Sequence, residues 1–301
     1  MIDKSGNTMS IYSLPRCPLS ANQPFQMTEL HIRALPGNRI FPHWHDDFEL
    51  IYIISGKMEF DLRQKAYLIS AGEGLFLNSG ELHFIHAYQS YDCRFVIFRI
   101  SPLLFAQTNQ SPIYKNYIHP IVSNPSFGFL PLVPKVPWQK YILETMKKMV
   151  QLCDKKSFGY EIKVQHFIHE IFYYIFQNIP AQKELTQREL RDLKRIKDVL
   201  SYLHETLQEK HRLSDIADFC HLSNSECCRL FQRNLRLSPM EYLNQHRIYE
   251  SLPEILKHEL SMGAIAKEVG FSGSSYFSEM FKKTLGITPR TFYKTYTSSN
   301  F

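Results

Sequence analysis

The stretch that most limits what this chain can fold into is Met262 to Lys283, MGAIAKEVGFSGSSYFSEMFKK. It reads as a short helix, a tight turn and a second helix. Ser261 is placed to cap the first helix, Gly270 to supply the left-handed residue of the turn, and Ser272 to cap the second helix. On that second helix Tyr276, Phe277, Met280, Phe281 and Leu285 recur at three- and four-residue steps, which predicts one buried stripe. Ser274, Ser275, Ser278, Glu279, Lys282 and Lys283 are left outside it. Short hydroxyls, a carboxylate and lysines suit a face that enters a DNA major groove, where donors and acceptors meet base edges and cations meet phosphate. An ordinary solvated helix face would look the same if the motif stood alone.

The motif does not stand alone. About fifty residues upstream, Leu213 to Phe231 (LSDIADFCHLSNSECCRLF) repeats the layout, followed by Ser238-Pro239 where the second copy has Thr288-Pro289. Aligning Ala217 with Ala266 and Phe231 with Phe281 needs one inserted residue. Ser223 with Glu226, and Ser238 with Glu241, have the spacing of reciprocal capping boxes. His221 stands at the turn of the first copy and Arg236 where a helix-ending glycine is common, so both are expected in the left-handed region.

Paired helix-turn-helices ending in Ser-Pro and Thr-Pro, with Gly270-Phe271-Ser272 and Tyr276-Phe277-Ser278 in the second, resemble the AraC-type transcriptional regulators over roughly residues 186–296. The resemblance implies sequence-specific binding of double-stranded DNA by an all-α domain. It places Ser225, Cys228, Arg229 and Gln232 of the first reading helix, and Ser274, Ser275, Ser278 and Glu279 of the second, toward bases. Arg233, Arg236, Lys282, Lys283, Arg290 and Lys294 are candidates for phosphate. Between the motifs, residues 239–258 would form a helix of roughly 30 Å, near the roughly 34 Å between major-groove faces one turn apart. Pro253 within it deletes one backbone hydrogen bond, so a kink, or a stop near Glu250 and a restart, is expected.

The net charge of +6 suits a polyanionic partner but is divided equally between the two halves of the chain, so placement rather than bulk charge carries the DNA argument. No run of about 18 apolar residues exists to span a bilayer, and the first residues lack the apolar core of a signal peptide. A cytoplasmic protein is expected, with its six cysteines as reduced thiols.

From Phe25 to about Ile100, short segments punctuated by Gly, Pro, Asn and Ser predict antiparallel strands at 26–34, 49–55, 57–63, 66–69, 74–77 and 94–100. Within them, His43, His45 and Glu49 follow Gly37 and precede Gly56, and His83 follows Gly72 and Gly80. These spacings resemble the two cupin motifs, with Asn78 and Ala87 departing from the second. The resemblance implies a jelly-roll barrel with His43, His45, Glu49 and His83 in its mouth. Strand alternation would put His43 and His45 on one face. Three imidazoles and a carboxylate suit a divalent metal with two open positions. They equally suit an organic effector, often a sugar in regulators of this architecture, held among Trp44, Phe48, Tyr52, Phe76 and Phe84. Satisfied core histidines are the third alternative.

The expected fold is therefore α+β and multidomain: an arm (1–24), a cupin-like sensor barrel (25–130), a helical connector for dimerisation (131–182) opening with a stiff Pro131–Pro137 linker, and the tandem helix-turn-helix domain (186–296). The resemblance implies a homodimer, and RNA polymerase as a further partner if the protein activates. The leading function is a DNA-binding regulator controlled by a small effector. The rival is a metal-dependent cupin enzyme with an accessory helical domain. No catalytic residue is assigned.

Overall fold

The computed structural model describes residues 19, 23–106, 108–179 and 184–298. Most of the expected N-terminal arm, and residues 180–183 of the expected hinge, lie outside the described residues. What is described divides into two compact units between Thr186 and Gln187.

The first unit contains β1 (Phe25–His31), β2 (Arg39–His43), β3 (Phe48–Leu62), β4 (Lys65–Ser70), β5 (Gly74–Leu77), β6 (His83–Ala87), β7 (Cys93–Ile100) and β8 (Phe129–Leu132). The two strands predicted at 49–55 and 57–63 are one strand, β3, shared by two sheets. Its first half pairs antiparallel with β7 and β5, its second half with β4 and β6. The register shifts between Ile53 and Ser55, and Gly56 follows at φ 79°. A Cβ on Gly56 would lie 1.8 Å from the Asp92 carbonyl oxygen, so only glycine lets the chain turn from one sheet to the other there. The resulting order is β1-β7-β3-β5-β8 in one sheet, with β2 and β6 joined to β3 in the other.

The first sheet buries both faces. Phe48, Leu50, Phe76, Val96 and Phe98 meet α2 (Pro137–Lys155) and α3 (Tyr160–Gln177), which follow the short α1 (His119–Val122). Phe172 on α3 is the hub, its ring 5.1 Å from Phe48, 5.6 Å from Phe76 and 4.4 Å from Phe105. Alternation turns Glu49, Ile51, Ile53, Phe95 and Ile97 to the opposite face, toward Met58, Phe60 and Ile85 of the second sheet. One expectation is corrected. Pro131 is not in a linker but in β8, at a sheet edge where a missing N–H costs no ladder bond. Helices α2 and α3 share one core with the sheet, because their apolar stripes have no other place to go.

The second unit is helical: α4 (Gln187–Glu205), α5 (Leu213–Phe219), α6 (Asn224–Leu235), α7 (Pro239–Lys257), α8 (Met262–Glu268), α9 (Ser274–Leu285) and α10 (Pro289–Ser298). Both capping boxes form, at Ser223 with Glu226 and at Ser238 with Glu241, and Ser261 accepts from the Ala264 amide. Ser272 does not cap α9. The inserted Gly273 takes the N-cap position with no side-chain bond, so the helix starts one residue later than its counterpart. Helix α7 runs unbroken through Pro253 and does not stop at Glu250. Leu252 and Ile255 are fully buried on either side of the proline, and that burial outweighs one lost hydrogen bond.

The two helix-turn-helices are joined by more than α7. Arg247, buried on that helix, donates to the carbonyls of Leu207 (2.9 Å) and Glu209 (2.6 Å) after α4, and its guanidinium lies over the Phe271 ring. Gly270 sits against this clasp at φ 85°, where a Cβ would come within 2.6 Å of the Leu207 oxygen. Gly270→Ala should destabilise the helical unit by about 1–3 kcal/mol, from strain at positive φ and from displacement of Arg247. Thermal unfolding followed by circular dichroism should show the helical transition at lower temperature.

Candidate functional site

The candidate residues fall into two sets, one in each unit. In the helical unit, the apolar stripes of α6 (Cys227, Leu230, Phe231) and α9 (Phe277, Met280, Phe281) are buried against their own lobes. This fixes what faces out. Ser225, Arg229 and Gln232 are exposed on α6 with Cys228 half-buried; Ser274, Ser275, Glu279, Lys282 and Lys283 are exposed on α9 with Ser278 half-buried. Arg233 differs from expectation: its guanidinium is 2.9 Å from the Asp192 carboxylate on α4 and braces the lobe. Tyr276, expected in the buried stripe, is exposed; its ring meets Phe271 edge-on while its hydroxyl accepts from the Asn244 amide at 3.3 Å. A phenol at the edge of the stripe can keep its ring packed and its oxygen wet.

In the first unit, His43, His45, Glu49 and His83 come together, their ligand atoms within 4.8 Å of one another and all four residues buried. His43 ends β2, and His83 opens β6 in register beside it. His45 is not on a strand, contrary to the alternation argument, but in the turn that leads to Glu49 on β3. Each imidazole is oriented by a neighbouring carbonyl: His43 Nδ1 to Phe41 (2.8 Å), His45 Nδ1 to Asp47 (3.0 Å) and His83 Nδ1 to Glu81 (2.9 Å). A carbonyl can only accept, so each Nδ1 carries a proton and each Nε2 faces the cluster.

His45 Nε2 lies 2.8 Å from Glu49 Oε1, a pair that needs one proton or one cation between its atoms. Glu49 Oε2 and His83 Nε2 are buried without a hydrogen-bond partner, 3.5 Å apart. Burial, followed by the neighbouring His83 and His45, pushes His43 well below the usual imidazole range and so favours its neutral form. For Glu49 burial acts upward, but His45 and His83 overcome it and hold the carboxyl well below the usual carboxylate range.

The aromatic residues expected around this cluster are mostly elsewhere. Phe48, Phe76 and Tyr52 face the helices, and Phe84 stacks on His86 on the far side of β6. Trp44 is half-buried in the His43–His45 turn, and Phe60 is the ring that stacks on His83. Period-two alternation could have sorted Phe48, Glu49 and Phe76 onto their faces. The element missed in the sequence is Arg99, the second charge in the apolar run of β7, which makes a buried ion pair with Asp47. Asp47 is the residue whose carbonyl orients His45, so this pair anchors the turn.

Two helices with outward polar faces in one unit, and a converged polar cluster in the barrel of the other, fit a DNA-binding regulator with its own ligand-binding unit. Residues 216–295 match a helix-turn-helix domain model and residues 26–128 match the AraC-like ligand binding domain. The chain is 31% identical over 252 residues to the HTH-type transcriptional regulator YdeC of Bacillus subtilis, covering 84% of this chain and 85% of that protein. It is 23% identical over 251 residues to the HTH-type transcriptional activator RhaR of Mannheimia succiniciproducens, covering 83% of this chain and 86% of that one. Among solved structures, ToxT from Vibrio cholerae O395 aligns over 90% of this chain and 97% of its own at 16% identity and a TM-score of 0.47. This chain belongs to the AraC-type transcriptional regulators, and its function is regulation rather than enzymatic turnover. No helix among the described residues is long and apolar enough to cross a membrane.

Arg99→Met should cost the first unit about 3–5 kcal/mol by leaving the Asp47 carboxylate buried and unpaired. Urea unfolding monitored by aromatic fluorescence would measure that loss, and replacing both partners with apolar residues should recover part of it.

Proposed function

We propose that this regulator senses a first-row divalent transition metal, held by His43, His45, Glu49 and His83, and that occupancy of the site controls how a homodimer binds DNA. The convergence of three Nε2 atoms on an ionised carboxylate, each fixed by an Nδ1–H bond to a carbonyl, is the observation that carries the reading. Three imidazoles and one carboxylate are a borderline donor set that suits iron, manganese, nickel or zinc. The buried Glu49 Oε2 and His83 Nε2 without hydrogen-bond partners fit the same occupant, since a cation would satisfy both. A bound metal supplies charge that the four donors compensate, and its binding energy favours whichever arrangement of the turn and strands presents them best. The site's burial, and the turning of Phe48, Phe76 and Tyr52 away from it, favour an ion over a sugar.

For the dimer, α3 supplies the support. Its buried stripe ends in the core, while Ile162 and Tyr173, three turns apart on the opposite side, are 76% and 58% exposed. Uncovered apolar side chains aligned along one helix suit a second copy of the same helix. For DNA, Arg229 is the residue that discriminates a guanine, and Lys282 and Lys283 bind phosphate.

The metal reading is tested on protein stripped with chelator. One equivalent of metal per chain should bind, raise the melting temperature and change affinity for promoter DNA, and His83→Ala should lower metal affinity by about 10- to 100-fold or more. No thermal shift with any first-row divalent ion would sink it. On the DNA side, Arg229→Ala should relax preference at one base pair by about 1–3 kcal/mol, whereas Lys282→Ala should weaken binding to every sequence and flatten its salt dependence. Gel shifts over a panel of single-base variants and salt concentrations would separate the two roles, and identical behaviour of both variants would contradict them.

A further inference from the structure

His83 is oriented by a carbonyl whose own residue is tied elsewhere. Glu81 supplies that carbonyl, and its carboxylate takes both ends of the Arg63 fork: Nε to Oε2 at 3.0 Å and a terminal nitrogen to Oε1 at 2.5 Å. The guanidinium also donates to the Pro125 carbonyl at 2.5 Å and, more distantly, to that of Ser126 at 3.5 Å. Ser126 in turn accepts the Leu185 amide on its hydroxyl oxygen at 3.2 Å. Leu185 belongs to the first unit and stands two residues ahead of α4, in the peptide that leads into the helical unit. A continuous set of contacts therefore runs from one imidazole of the cluster to the end of the first unit.

The backbone is shaped around this arginine. Arg63 and Gln64 form the two-residue turn between β3 and β4, both in the left-handed region at φ 48° and 69°. Asparagine and glycine make such turns with less strain, so this turn is kept at a conformational cost. Its first residue follows Leu62, which lies in register with His83. On the other side, a Cβ on Gly128 would come within 2.7 Å of the guanidinium, and glycine there leaves it room. Only 19% of the Arg63 side chain and 11% of that of Glu81 are exposed, so the forked pair is shielded and directional, unlike a loose surface ion pair.

We propose that Arg63 is a positioning residue that couples the cluster to the peptide entering α4, so that filling the cluster fixes Leu185 more firmly. When His83 Nε2 holds an ion, its Nδ1–H becomes a stronger donor to the Glu81 carbonyl. Glu81 then moves less, its carboxylate holds the Arg63 fork in place, and Arg63 keeps residues 125–126 where the Ser126 hydroxyl meets Leu185. The response to an ion rests on the metal reading above. The tie from Glu81 to Leu185 does not.

The test uses full-length protein, zinc(II) as the probe, and amide hydrogen exchange resolved at Leu185. In metal-free protein, Arg63→Met and Ser126→Ala should each speed that exchange by about fivefold or more. Zinc should slow it in wild type and leave it unchanged in both variants. Ser126→Ala leaves the Arg63–Glu81 pair alone, so it should bind zinc as wild type does yet lose the zinc-dependent change in affinity for DNA from upstream of its own gene. Arg63→Met should also lower zinc affinity by about 3- to 10-fold, less than loss of a direct ligand. A merely structural role for Arg63 would lower the melting temperature and leave the zinc response of Leu185 intact. Unaltered exchange in the metal-free variants, or a zinc response that survives in them, would overturn the proposal. If wild type takes up no zinc while metal-free exchange differs as expected, the tie from Arg63 to Leu185 stands and the metal reading alone falls.

Discussion

The first unit depends on a backbone constraint, the change of sheet partway along β3. Every N–H and C=O of a buried strand needs a partner, and a 15-residue strand cannot find them all in one sheet without excessive twist. The bulge between Ile53 and Ser55, with Gly56 pressed against the Asp92 carbonyl, lets the first half pair with β7 and β5 and the second half with β4 and β6. The two sheets then face each other. Glu49 from one half of β3 and His83, in register with Leu62 at the end of the other half, arrive at the same point.

The cluster formed there is costly to bury and correspondingly ordered. A carboxylate among three imidazoles has lost its water, and attraction from His45 and His83 keeps it ionised despite that loss. The carbonyls of Phe41, Asp47 and Glu81 fix the ring orientations, and the Arg99–Asp47 pair holds one of those carbonyls in place. Such support holds the donor atoms of the four side chains in fixed positions. The outer face of the same sheet is occupied differently: it is sealed by α2 and α3 through Phe172 in a close-packed layer.

The helical unit obeys a different economy. Its two lobes repeat one pattern, and in each the buried stripe of the second helix fixes the outward face by exclusion. Arg247 adds a connection that α7 alone would not give, tying the loop after α4 to the turn at Gly270 and Phe271. With Pro253 accommodated inside a continuous helix of 19 residues, the scaffold between the reading helices is about 28 Å long at roughly 1.5 Å per residue.

Much of this was legible in the residues themselves. Capping at Ser223, Ser238 and Ser261, the left-handed positions of His221, Arg236 and Gly270, and the outward faces of α6 and α9 follow from local rules, because a helix decides its ends and its stripe within a few residues. The spacing of His43, His45, Glu49 and His83 likewise marked a cluster. Tertiary structure alone decided the rest: that 48–62 is a single strand, that His45 lies in a turn, that Phe48 and Phe76 face helices, and that Arg99 meets Asp47 from a strand distant in sequence. Strand pairing, ion pairing and the choice of a face are settled between segments distant in sequence, where no local pattern carries the information.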